Sequence, residues 1–277
     1  MDNSKIHLSE KHYIEGHDIE YIDCPKNSEK FSREMPDTIV LHYTAGRNAR
    51  SAANYLAKDN IKASAHLVVD RDGTVFQLVP FDTIAWHAGR SSWKGRSGLN
   101  KYSIGIEIDN AGVLSKSGNK YVAWFGKKYD EEDVIETTHR NESQPKYWHL
   151  YTEKQIDVVE QICELLLNRY TGIQHILGHE EIAPGRKQDP GPAFPLDQLR
   201  KRLLNDRDED KAPIDDQTGE VMVDYLNIRE LPGRKAPLVS SPLPRGTQLK
   251  IHEKHNGWYR VETQIEGWVS GEYIDFS

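Results

Sequence analysis

Apolar positions along this chain recur with either strand or helix spacing, and the places where the spacing changes mark its elements. Thr38-Ile-Val-Leu41 is a short continuous apolar run ending at His42, which predicts a buried strand over 38–43. The turn-like Thr44-Ala45-Gly46 follows, and then a short helix around 49–57. Strands are predicted at 66–70 and 74–79, joined through Arg71-Asp72-Gly73, where glycine supplies the positive φ of a hairpin turn. In Ser103-Ile-Gly-Ile-Glu-Ile108 isoleucines alternate with Gly105 and Glu107, giving a further strand. Thr152-x-x-Gln155 is a capping box that opens a helix to about Arg169. Its Ile156, Val159, Ile162, Cys163, Leu166 and Tyr170 recur at helical spacing and make one buried face. A last helix is predicted over 196–204. Strands with helices between them predict an α/β domain over 37–204, a mixed central sheet flanked by helices.

The flanking and inserted segments have different patterns. Residues 1–36 predict an irregular arm with short strand-like pieces such as His17-Asp-Ile-Glu-Tyr-Ile22. Residues 111–150 form an insertion after the Glu107 strand, with Tyr121-Val-Ala-Trp-Phe125, Tyr147 and Trp148 set among lysines and acids. It reads either as a binding wall or lid, or as a loop packing its aromatics on the domain, with His139 and His149 on its surface. Residues 205–219 are charged and nearly free of large apolar groups, a solvated linker. Beyond them, over 220–277, short strand candidates alternate with Pro/Gly turns and Asn256-Gly257 marks a hairpin, predicting a small all-β barrel.

Composition narrows the function classes. A chain of 277 residues with 37% apolar content can bury the core of one large domain plus one small one. A net charge of −7 and a pI near 6.0 exclude electrostatically driven nucleic-acid binding. Cys24 and Cys163 have no metal-ligand spacing and indicate neither a disulfide scaffold nor a thiol enzyme. No run is long enough for a membrane span, and the charges scattered through the first residues leave no Sec-type signal.

The candidate chemistry centres on 177–192, where His179, Lys187 and Asp189 share a loop broken by Pro184, Gly185, Pro190 and Gly191. Proline excludes helix and central strand there. Imidazole and carboxylate are zinc ligands, and an ammonium beside them suits a site where negative charge develops. His42, at a strand end, is either a third ligand or a hydrogen-bonded structural histidine. Glu107 is either a base buried on an apolar strand, costly unless compensated, or a solvent-facing position on an amphipathic one.

Taken in order, Ile39-Val-Leu-His-Tyr-Thr-Ala-Gly46, Ser64-Ala-His-Leu-Val-Val69, Asp72-Gly-Thr-Val-Phe-Gln-Leu-Val79, Ala85-Trp-His-Ala-Gly89, Ser103-Ile-Gly-Ile-Glu107 and Gly178-His through Pro190-Gly191 resemble the type-2 N-acetylmuramoyl-L-alanine amidases, the zinc amidase and peptidoglycan-recognition superfamily. The resemblance covers roughly residues 37–204. It implies the zinc amidase fold, with Zn²⁺ held by His42, His179 and Asp189, Glu107 as general acid/base and Lys187 steadying the oxyanion. It implies hydrolysis of the amide between N-acetylmuramic acid and L-alanine, with peptidoglycan or a muropeptide as substrate. Trp86, His87 and Arg96 are the substrate-binding candidates it suggests, Trp86 as an aromatic wall or a plain core residue. His87 and His66 also read as structural histidines behind the ligands, and Arg96 as a solvated surface residue. Ser97-Gly98-Leu99 lacks a second basic residue, a departure from the wall-recycling members. The tail pieces Leu226-Asn-Ile-Arg-Glu, Gly257-Trp-Tyr-Arg-Val and Glu266-Gly-Trp-Val-Ser-Gly-Glu-Tyr-Ile resemble the bacterial SH3 domain, with Trp258, Tyr259 and Trp268 as binding faces or core.

Two other classes stay open: an inactive recognition protein that binds peptidoglycan, and a zinc peptidase cutting within the stem. The site of action also stays open between a cytoplasmic recycling enzyme, a bacteriolytic phage lysin and an effector. The effector would have a secretion machine and an immunity protein as partners.

Overall fold

The computed structural model describes residues 6–25, 29–32, 35–205, 217–223, 225–230, 237–255 and 258–264. The chain divides into two compact units, with the boundary between Arg200 and Lys201.

The first unit is built on a six-stranded sheet. Its strands in chain order are β1 (Ile19–Tyr21), β2 (Thr38–Tyr43), β3 (Leu67–Val69), β4 (Val75–Gln77) and β5 (Ser103–Ile108). An inserted sheet follows with β6 (Val113–Ser117), β7 (Lys120–Val122), β8 (Lys128–Tyr129), β9 (Val134–Thr138) and β10 (Pro145–His149), and β11 (His175–Gly178) then returns to the main sheet. The spatial order of the main sheet is β11-β2-β5-β3-β4-β1. β11, β2, β5 and β3 run parallel, and β4 pairs antiparallel to β3 through the Asp72-Gly73 turn. The mixed α/β architecture expected from the hydrophobic pattern is therefore present. The arm contributes more than an irregular lead, because β1 pairs parallel with β4 as the sheet's edge strand.

Period-2 alternation gives the sheet two different faces. Ile39, Leu41, Ile104, Ile106, Leu67 and Val69 share one face, all fully buried. Helix α2 (Glu153–Arg169), which packs on β3, turns Val159, Ile162, Cys163, Leu166 and Leu167 inward. Val68 and Phe76 on the other face pack against Ala49 and Ala53 of α1 (Ala49–Leu56), and His42, Gly105 and Glu107 fall on that same face by alternation. Two short helices complete the unit, α3 (His179–Ile182) and α4 (Leu196–Arg200); α3 is one helical turn inside 177–192, where helix was not expected, and it ends before Pro184.

Residues 111–150 are neither a lid loop nor a loop packed flat on the domain. They form a five-stranded antiparallel sheet, β8-β7-β6-β10-β9, with its own apolar cluster of Ala111, Leu114, Tyr121, Ala123 and Tyr129. Alternation in strands this short was masked by the lysines and acids between the aromatics. His139 and His149 are correspondingly buried instead of lying on the surface. The His149 ring packs on Tyr129 at 4.3 Å, and its Nδ1 accepts from the Ala111 amide at 3.1 Å.

In the second unit, Gln217–Glu220 and Trp258–Glu262 flank Gln248–His255 in a three-stranded antiparallel sheet, and Tyr225–Leu226 pairs with Leu243–Pro244. These strands fit a small all-β domain. Tyr259 is exposed and Trp258 half-buried. Most of the linker (206–216), the Asn256-Gly257 turn and Trp268 lie outside the described residues.

The start of α2 has the capping box read from the sequence. Thr152 Oγ1 accepts from the Gln155 amide at 3.1 Å and donates to the Arg71 carbonyl at 2.7 Å. Gln155 Oε1 accepts from the Thr152 amide, and its Nε2 donates to the Asp109 carbonyl, tying the helix to the end of β5. Thr152→Ala is expected to lower the unfolding free energy of this unit by about 1–2 kcal/mol. Urea denaturation checks this, and an unchanged midpoint would contradict the cap's role.

Candidate metal centre and active site

Parallel pairing puts the C-terminal ends of β11, β2 and β5 side by side, where open α/β sheets form ligand crevices. Gly178 lies opposite Leu41, so His179, the next residue, falls beside His42. His42 in turn lies opposite Glu107. The chain then returns through the proline-broken loop, closed by the Glu180 amide donating to the Asp189 carbonyl at 2.9 Å.

Three ligand atoms meet there. His42 Nδ1, His179 Nδ1 and Asp189 Oδ2 form a triangle with every side 2.9 Å, and all three residues are buried. The hydrogen bonds behind the rings assign the tautomers. His179 Nε2 donates to the Ala88 carbonyl at 3.1 Å, leaving Nδ1 as a bare lone pair. His87 Nε2 donates to the Ser103 carbonyl at 3.1 Å, so His87 Nδ1 accepts from His42 Nε2 at 2.9 Å, and His42 Nδ1 is bare in its turn. Burial, and then the neighbouring His179, lower the His42 imidazole to about 4, and burial holds His87 well below its ordinary value, so both rings are neutral. Asp189 stays below the ordinary carboxylate range despite its burial, and stands as a carboxylate. Two imidazole lone pairs and a carboxylate oxygen at such separations repel unless a cation sits among them. Two neutral imidazole nitrogens and a carboxylate oxygen are a donor set that suits zinc.

Glu107 is half-buried, but its Oε2 is sealed from solvent and has no hydrogen-bond partner among the described residues. Burial, and then the Asp189 carboxylate, push its carboxyl well above the ordinary range, while Lys187 opposes the shift. Lys187 lies within electrostatic reach of both Glu107 and His42. A groove of about 490 Å³ adjoins the site, lined by Tyr43, Val113, Val122, Trp124 and Gln188 among others. Trp124 is 78% exposed, with its Nε1 anchored to the Ala45 carbonyl at 2.8 Å.

The remaining candidates separate. Trp86, next in sequence to His87, is 37% exposed, and its amide is held by Ser64 Oγ at 2.8 Å. His87 stands behind His42, where it fixes that ring. His66 is structural: its Nε2 donates to the Thr83 carbonyl, its Nδ1 accepts from the Gly105 amide, and it stacks between Phe31 and Phe81. The Arg96 guanidinium pairs with Asp37 at 2.5 Å and covers the Tyr102 ring at 4.6 Å. Asp37 precedes β2, so five extended residues, roughly 16 Å, separate this pair from His42. Gly105 was overlooked. A Cβ there would stand 2.2 Å from His87 Cγ, so the ring that orients His42 requires glycine. A glycine inside a strand pattern is the signal that marks such a close approach.

Residues 32–192 match the family described as N-acetylmuramoyl-L-alanine amidase. The chain belongs to this family. Residues 224–275 match the bacterial SH3 domain. Over 146 residues the chain is 34% identical to the 1,6-anhydro-N-acetylmuramyl-L-alanine amidase AmpD of Citrobacter freundii, covering 52% of this chain and 58% of that protein. It is 33% identical over 172 residues to the N-acetylmuramoyl-L-alanine amidase AmiD of Escherichia coli K12, covering 59% of this chain and 52% of that protein. The amidase-family chain thus spans between half and three fifths of the length of these relatives. The crystal structure of a selenomethionine derivative of AmpD superposes with a TM-score of 0.51 at 27% identity, covering 71% of this chain and 98% of the other.

The unpartnered Glu107 oxygen has a consequence for stability. A carboxyl whose folded-state pKa lies above its unfolded value, about 4.3, favours the folded state below that value. That contribution is lost as pH rises through the folded-state pKa. In metal-free protein, Glu107→Gln is expected to match the parent near pH 4 and to exceed it toward neutral pH by at least about 1 kcal/mol. Thermal melts across a pH series check this, and a difference independent of pH would refute it.

Proposed function

We propose that this family member is a zinc-dependent N-acetylmuramoyl-L-alanine amidase cleaving the bond between the lactyl group of N-acetylmuramic acid and the L-alanine of the stem peptide. The observation that carries the reading is the sealed Oε2 of Glu107, without a partner among the described residues, beside a triangle of lone-pair atoms from His42, His179 and Asp189. A protein that only binds peptidoglycan needs no such uncompensated base. The names of the similar AmpD and AmiD proteins supply the bond.

His42, His179 and Asp189 hold the metal, and His87 keeps His42 in the ligating tautomer. Zinc, when bound, supplies Lewis acidity that provides hydroxide at neutral pH and polarises a carbonyl. Glu107, kept as a strong base by burial, takes the proton of the attacking water and passes it to the leaving alanine amine. Lys187 faces the oxygen on which negative charge develops at the scissile carbon. Trp86 and the groove by Trp124 flank the substrate. The bacterial SH3 segment supports a polymeric wall substrate, tested by comparing activity on intact sacculi with that on soluble anhydro-muropeptides. Among the described residues no helix is long and apolar enough to cross a membrane.

Lys187→Ala is expected to keep zinc and lose about 10²–10³-fold in kcat, and Glu107→Gln about 10²–10⁴-fold. His179→Ala is expected to lose metal and activity together. Metal analysis beside turnover separates these roles, and equal zinc loss in all variants would contradict them. Mass spectrometry of digested wall identifies the bond: free L-alanine amino termini on intact stems support the amidase, and cuts within the stem support a peptidase.

A further inference from the structure

Glu180, beside the ligand His179, has no part in the chemistry above, yet it is a carboxylate only 2% exposed. Both of its ends are engaged. Its amide donates to the Asp189 carbonyl at 2.9 Å, and its Oε2 accepts from the Gly191 amide at 3.1 Å. From the position next to His179, one residue thus holds the Asp189 carbonyl and the Gly191 amide two residues on.

The carboxylate is held from the inserted sheet. His139 Nδ1 accepts from the Asn141 amide at 3.1 Å, so its Nε2 carries the proton and donates to Glu180 Oε2 at 2.7 Å. Arg140 Nε reaches Oε1 at 3.0 Å, and Asn141 Nδ2 donates to the Glu180 carbonyl at 2.9 Å. The His139 ring stacks on Trp148 at 5.5 Å, and Trp148 presses on Gly191, where a Cβ would meet its ring at 2.9 Å and φ is +74°. A buried ion pair is a poor stabiliser compared with apolar packing, but its directional bonds fix geometry. Partners standing behind metal ligands set ligand orientation and metal affinity.

We infer that Glu180 is a positioning residue for the metal centre: clamped by His139 and Arg140 of the insertion, it sets the separation of His179 and Asp189, and the inserted sheet is part of the metal site. This rests on the reading of His42, His179 and Asp189 as zinc ligands.

The test uses the full chain, with zinc affinity measured by competition against a chelating dye and ligand geometry by the visible absorption of the cobalt-loaded protein. Glu180→Ala is expected to bind zinc about 10–100-fold more weakly and to shift the cobalt band. Glu180→Gln, which still accepts from the Gly191 amide, is expected to recover part of the loss. Arg140→Met, at the periphery of the cluster, is expected to weaken zinc in the same direction and keeps the test informative where Glu180→Ala does not fold. Affinities within about twofold of the parent and an unchanged cobalt band, whatever the melting temperatures do, would reduce the cluster to a brace for the insertion and overturn the inference. A parent chain that binds no zinc would instead bring down the metal reading, and this inference with it, which the parent measurement alone reveals.

Discussion

Parallel hydrogen bonding of β2 to β11 on one side and to β5 on the other is the constraint on which the site depends. A parallel ladder fixes register along its whole length, and a slip of one residue turns every side chain to the opposite face. With Gly178 opposite Leu41 and His42 opposite Glu107, a row of chemistry-bearing positions stands at one end of the sheet. The register is in turn set by burial. Ile39, Leu41, Ile104 and Ile106 must face the α2 side, which commits His42 and Glu107 to the other.

Placement alone does not make a ligand; the tautomer must also be right. Here it is imposed by backbone carbonyls that the fold holds still, Ala88 behind His179 and Ser103 behind His87. The His87 ring fits only because Gly105 has no side chain, so a strand glycine, a second imidazole and a carbonyl act as one unit on His42. Burial lowers both imidazoles and raises Glu107 by the same desolvation, with opposite signs because a charged imidazole is a cation and a charged carboxyl an anion. One dry pocket thus yields neutral ligands and a strong base together.

The inserted sheet changes the picture of the site's boundary. It supplies Trp124 and Val113 to the groove and, through His139 and Arg140, reaches the ligand-bearing loop from behind. The ligand-bearing loop and the inserted sheet therefore share one polar cluster centred on the buried Glu180 carboxylate.

Features that depend on neighbours along the chain were legible in the order of residues. The apolar run before His42, the Thr152-x-x-Gln155 cap, the Asp72-Gly73 turn and the helical face of α2 all appear where local spacing put them. The order of motifs around His42, Glu107 and His179 carried the family. Features that depend on partners far away along the chain emerged from the packed fold. His42 and His179 meet across 137 positions, and no local pattern states that distance. Arg96 belongs to Asp37 at the far end of β2, His87 stands behind a ligand, and His139 is buried against Glu180. Period and propensity specify which face a residue takes, whereas its partner is set by which surfaces pack, and for a polar side chain the partner decides the chemistry.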